Sequence, residues 1–241
     1  MAFLLEQGIS ALPVNPCAIP PKNGWMIFSY AAFAARIQES AAYLQTHYDK
    51  DGFVLWSEPA QTFVVCYNDS APQNEIRWTV THEIGHISLH HVSPGCPVLA
   101  RHGAGNRLYE LEAECFALRV LCPAPVLREC GVDTPEEIAG MCGIPDTRTG
   151  AALAYMRDFA ADSITAPLLS GIMRQFSGFI ESNKKNRPAQ RPDGCKERKS
   201  IVCQLYQCFM ELLSACMQKR ADNITFRIFT RRLAGMKSCL T

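Results

Sequence analysis

A chain of 241 residues, 48% apolar and 20% charged, has material for one substantial core plus an appendage or second small unit. No apolar run reaches the ~20 residues of a membrane span, and "MAFLLEQGIS" meets Glu6 before its first basic residue, Lys22, which speaks against an anchor or signal peptide; a cytoplasmic protein is expected. The net charge of +1 conceals a division: residues 1–183 carry 11 basic and 19 acidic side chains and residues 184–241 carry 13 and 4, so an acidic body precedes a basic tail.

The opening stretch is interrupted by Pro13, Pro16, Pro20 and Pro21 and supports a short helix at most. "WMIFSY" (25–30) reads as a short strand. "AAFAARIQESAAYLQTHY" (31–48) sets Phe33, Ile37, Ala41 and Leu44 at helical spacing, which predicts a helix. "GFVLW" and "TFVVCYN" are β-rich runs ending in turn chemistry, so a small mixed sheet with a helix against it is expected. A second helix is predicted from Gln73 to about His91, where Ser93, Pro94 and Gly95 stop it. After a glycine-containing basic loop, "LYELEAECFALRVLC" reads as a buried helix ended by Pro123 and Pro125. Two short helices around Gly143 follow, then an apolar helix over 162–181. "ESNKKNRPAQRPDGCKERKS" is a polar, proline-containing linker, and beyond it 201–217 repeats apolar residues in an amphipathic helical pattern.

The twelve cysteines contain no C-x-x-C pair, and several, such as Cys115, Cys122, Cys208 and Cys216, sit in apolar helical contexts. Reduced thiols used as small buried hydrophobes fit this distribution better than a disulfide framework.

The chemistry concentrates in "WTVTHEIGHISLHH" (78–91), which holds four of six histidines. His82, Glu83 and His86 form H-E-x-x-H. Residues four apart on a helix lie one turn above each other, ~5 to 6 Å between Cβ atoms, so two imidazoles can converge on one ion. Glu83 can lean toward the open face without ligating, and accept a proton from water there. A shuffled chain of this composition would carry the pattern about once in a hundred, so it is informative without being decisive. Val80, Ile84 and Ile87 make the segment apolar enough to be buried, and buried His and Glu are costly unless paired or ligating.

A third ligand is required. The metzincin spacing fails, because Val92 and Leu89 occupy the positions where it needs histidine and glycine. The next helix offers Glu110, Glu112 and Glu114. Glu110 and Glu114 share a face with the small Ala113 and Ala117, whereas Glu112 points about 160° away from Glu110, so helical geometry favours Glu110 or Glu114. His90, His91 and His102 are further polar candidates, with His90 read chiefly as a solvated helix end. His102, Arg107 and Tyr109 are the loop candidates for stabilising an oxyanion.

"YNDSAPQNEIRWTVTHEIGHISLHH", followed by "ELEAECFALRVLCPAPVL" and "GVDTPEEIAGMCGIP", resembles the ImmA/IrrE-type zinc metallo-endopeptidases over roughly residues 50–145. In that pattern the H-E-x-G-H helix is followed by E-x-x-A-x-x-F-A, with a proline soon after. Glu110 precedes Ala113, Phe116 and Ala117, so the resemblance implies Glu110 as third ligand beside His82 and His86, with Glu83 as catalytic base and Zn2+ as the metal. Trp78, Glu114 and Pro145 depart from the pattern without touching a ligand position. The fold implied is α+β: a minimal zincin-like core over 1–130, a small helical hairpin region over 131–182, and a linker with a basic amphipathic tail over 183–241.

The resemblance implies an endopeptidase with a narrow protein substrate, a helix-turn-helix repressor, often within a mobile element. Zincin-like folds commonly bind peptide along a sheet edge, and "TFVVCYN" is the expected edge. The competing reading is a DNA-binding or protein-binding transcriptional regulator with a structural metal. In it the helices around Gly143, or the basic tail with Arg227, Arg231 and Arg232 near Phe226 and Phe229, would meet nucleic acid. Glu136, Glu137 and Asp146 make the hairpin a poor phosphate binder.

Overall fold

The computed structural model describes residues 1–19, 24–94, 106–159 and 166–185, all within one compact unit, Met1–Gln190. Helix α1 (Ala2–Glu6) and a single 3-10 turn (Pro16–Ala18) precede strand β1 (Trp25–Ser29). Helices α2 (Tyr30–Ile37) and α3 (Ala41–His47) lead to β2 (Gly52–Ser57) and β3 (Thr62–Tyr67). The long helices α4 (Gln73–Ser88) and α5 (Asn106–Leu121) follow, and then α6 (Ala124–Glu129), α7 (Pro135–Cys142), α8 (Asp146–Asp158), α9 (Ala166–Gln175) and α10 (Ser177–Lys185).

The sheet is mixed, in the order β1-β3-β2, with β1 parallel and β2 antiparallel to β3. "TFVVCYN" is therefore the central strand and not an edge: both its ladders are occupied, so no peptide can add to it. Among the described residues the edge strands of the sheet are β1 and β2.

Strand alternation divides the core between two faces. Val54 and Val65 join Trp25, Ile76, Val80, Ile84 and Ile87 on the α4 side. Phe53, Val64 and Cys66 join Tyr30, Ala34 and Leu44 on the α2/α3 side. A sheet covered on both faces needs apolar residues at consecutive positions, and Phe53-Val54 and Val64-Val65-Cys66 supply them.

The single helix expected over 31–48 is two. Gln38 takes a left-handed backbone (φ 58°) and stops α2, and the Ser40 hydroxyl accepts from the Tyr43 amide to start α3. Ile37, assigned to the buried stripe, is 39% exposed as a result. The apolar helix expected over 162–181 is likewise two, α9 and α10, meeting at Phe176. Past Pro123 the chain forms the short α6, whose Ala124 to Leu127 are all buried and which the proline rule alone did not suggest.

Arg77 ties α4 to two other segments, donating from Nε to the Val14 carbonyl (2.9 Å) and from Nη1 to the Gly143 carbonyl. Gln175 does the same for the N-terminal segment, with Nε2 donating to the Leu4 carbonyl at 2.8 Å. Among the described residues Cys66, Cys122, Cys130 and Cys142 are buried cysteines, and no helix is long and apolar enough to cross a membrane. The helix expected over 201–217 and His102 lie outside the described residues.

Candidate metal centre

Helix α4 is buried without a break from Val80 to Ile87, so its polar residues have no recourse to solvent. The Asn68-Asp69 turn sets its start: the Asn68 side chain accepts from the Ser70 amide (3.1 Å) and donates to the Lys50 carbonyl (3.1 Å), which turns the chain from β3 toward α4. His82 and His86, one turn apart, bring their Nε2 atoms to 3.1 Å. Glu110 on α5 completes the group, with Oε2 at 3.1 Å from His82 Nε2 and Oε1 at 3.6 Å from His86 Nε2.

These separations suit a small tetrahedral cation. Donors ~2.0 to 2.1 Å from a zinc lie roughly 3.3 Å from one another, between the two spacings observed. Two imidazole nitrogens facing each other cannot both present lone pairs unless something positive lies between, and Glu110 Oε1 is buried without a hydrogen-bond partner. Electrostatics point the same way. Burial opposes protonating His82, but the carboxylates of Glu110, Glu83 and Glu114 outweigh it and raise its pKa above 6.5. The hydrogen bond from His82, with the His86 ring beside it, holds the Glu110 carboxyl far below the usual carboxylate range. The cluster is a pocket of concentrated negative potential lined by nitrogen donors.

Of the three glutamates on α5, Glu110 meets the histidines. Glu114 turns instead to Arg148 (2.7 Å), whose guanidinium lies 4.8 Å from the centroid of the Trp78 ring. Glu112, set aside on the helical wheel, is 7% exposed, and its Oε2 lies 2.8 Å from His91 Nε2. His91 in turn reaches His86, Nδ1 to Nδ1, at 3.1 Å. Helix α4 stops at Ser88 rather than at His91, because His90 adopts φ 59° and reverses the chain. His90 itself is exposed. Tyr109 stacks on the His91 ring at 4.5 Å, and Arg107 is exposed. Glu83 is buried on α4, one residue after His82.

No curated protein and no solved structure matches the chain. The family model described as the IrrE N-terminal-like domain, peptidase M78, matches residues 31–139, a span holding the helices that carry His82, His86 and Glu110, and over that span the chain is similar to the ImmA/IrrE metallopeptidases.

Proposed function

We propose that the chain is a zinc endopeptidase that hydrolyses one peptide bond in a specific protein substrate, a helix-turn-helix repressor by its resemblance. The observation that carries this reading is the convergence of His82 Nε2, His86 Nε2 and the Glu110 carboxylate at 3.1 to 3.6 Å between two packed helices. These three residues would hold the ion, and Glu83 would not ligate it. A bound zinc supplies Lewis acidity that lowers the pKa of water and polarises a carbonyl.

The protein's own contributions are then distinct. His82 and His86 bind as neutral imidazoles, so any proton that the raised His82 pKa retains must leave on loading. The carboxylate oxygens of Glu83 take the proton of the attacking water and deliver it to the departing amine nitrogen. Burial keeps that carboxylate out of bulk water, where its proton would otherwise exchange with solvent.

The test pairs metal content with turnover. The purified chain should hold one zinc, and His86→Ala should hold none. Glu83→Gln should keep its zinc and lose about 10²- to 10⁴-fold in cleavage of a co-expressed repressor. Unchanged cleavage by Glu83→Gln would remove Glu83 from the role of base, and full zinc content in His86→Ala would move the site elsewhere.

A further inference from the structure

We infer that His91 and Glu112 are positioning residues that hold His86 in the one tautomer able to bind a metal through Nε2; this rests on the metal-site reading above. The contacts form one line from Glu112 Oε2 to His91 Nε2 (2.8 Å), and from His91 Nδ1 to His86 Nδ1 (3.1 Å). His86 Nε2 then faces His82 and Glu110.

Proton bookkeeping along this line has one solution with neutral rings. A carboxylate only accepts, so His91 Nε2 carries a hydrogen and donates it to Glu112. A neutral imidazole then offers a lone pair at Nδ1, so the hydrogen between the two rings belongs to His86 Nδ1. That leaves His86 Nε2 bare. Without the line, His86 would divide between two tautomers, one of which points N–H at the cation site.

The backbone is built to deliver His91 to this place. The His91 amide donates to the His86 carbonyl (2.9 Å) and the His90 amide to the Ile87 carbonyl (3.0 Å), with His90 left-handed between them. This is a Schellman ending, in which the second residue beyond the helix cap normally packs an apolar side chain back on the last turn. Here an imidazole occupies that position, buried between His86 and the Tyr109 ring. Burying a second histidine and a second glutamate beside the cluster is costly unless both are hydrogen-bonded, and the line satisfies them.

Two measurements on the full chain test this. Long-range 1H–15N correlation on histidine-labelled, zinc-free protein should show His86 protonated at Nδ1; protonation at Nε2 overturns the proposal whether or not any variant folds. Zinc(II) affinity, read by competition with a chromophoric chelator, should weaken about 10- to 100-fold in His91→Phe, which keeps an aromatic ring against Tyr109 and removes the hydrogen bonds. Glu112→Leu should do the same, and Glu112→Gln, whose amide oxygen still accepts, should recover most of the loss. Binding by His91→Phe within about twofold of the parent chain also overturns it. A parent chain that takes up no zinc instead defeats the metal-site reading, and the His86 tautomer in that same sample still decides the hydrogen-bond line.

Discussion

Gly85 on α4 and Ala113 on α5 meet where the helices that carry His82, His86 and Glu110 pack: a Cβ placed at 85 would stand 3.3 Å from the Ala113 Cα and 3.0 Å from the Phe116 ring. Gly85 precedes His86, and Ala113 follows Glu110 by three residues, so this spacing sets how near Glu110 comes to the histidines. Two effects oppose each other in Gly85→Ala. Alanine favours the helix by about 1 kcal/mol, while overpacking costs about 1 to 3. The Ala113 contact is with backbone, which cannot rotate aside, so overpacking should win. We expect a net loss of up to about 2 kcal/mol in urea unfolding and weaker zinc binding, with Gly85→Val worse on both counts. Unchanged zinc affinity would show that the helix spacing has slack.

Arg77 and Gly143 give a second, separable prediction, because they act on the scaffold and not on the site. Gly143 ends α7 with φ 59°, and its carbonyl accepts from Arg77. Arg77→Met removes donors from two carbonyls at once and should cost about 2 to 4 kcal/mol, charged hydrogen bonds being worth more than neutral ones. Arg77→Lys should recover little, since one ammonium cannot reproduce the planar fork that spans Val14 and Gly143. Zinc stoichiometry should remain one in both. Loss of zinc in folded Arg77→Met would mean that α4 shifts when its anchor goes.

The legible parts of this protein were those written in repeating patterns. His82, Glu83 and His86 show the helical period directly, and Ala113 and Ala117 mark the close helix pair that singles out one side of α5. The unread parts share a cause. Gln38 and His90 both take left-handed backbone without being glycine, so neither announced a helix end. Missing the reversal at His90 hid the return of His91 onto His86, and so hid the purpose of Glu112. The central place of β3 depends on the parallel crossover from β1, and short apolar strands carry no label for their neighbours.

Residues beyond Lys185 should be dispensable for the core. Helix α10 is seated by buried Ile180 and Phe176 against α6 and α9, and the ion pair of Lys184 with Glu129 at 2.7 Å is exposed and worth little. A chain ending at Lys185 should keep its zinc and melt within about 4 °C of the full chain, roughly 1 kcal/mol. Any salt-sensitive retention on DNA by the full chain should disappear with the tail, which carries most of the basic excess. A larger fall in melting temperature, or loss of zinc, would show that the tail packs on the core.

The last prediction concerns pH, and its sign follows from two opposite shifts. His82 is raised above 6.5 in the metal-free cluster, so the stability it contributes is complete below that value and is lost as pH rises through the raised one. Glu110 is depressed below 4.5, so its contribution is present above that value and is lost as pH falls through the depressed one. Zinc-free protein should therefore draw most from this pair between pH 4.5 and 6.5. Zinc reverses the upper limit, because it must displace the His82 proton. Affinity should climb about tenfold per pH unit, about 1.4 kcal/mol, until the raised His82 value is passed, and then level off. Melting curves with excess zinc and with chelator, taken at half-unit steps, should thus diverge as pH rises. Curves that stay parallel between pH 4.5 and 6.5, below the raised His82 value, would mean that no proton leaves on loading, and would count against His82 as a ligand.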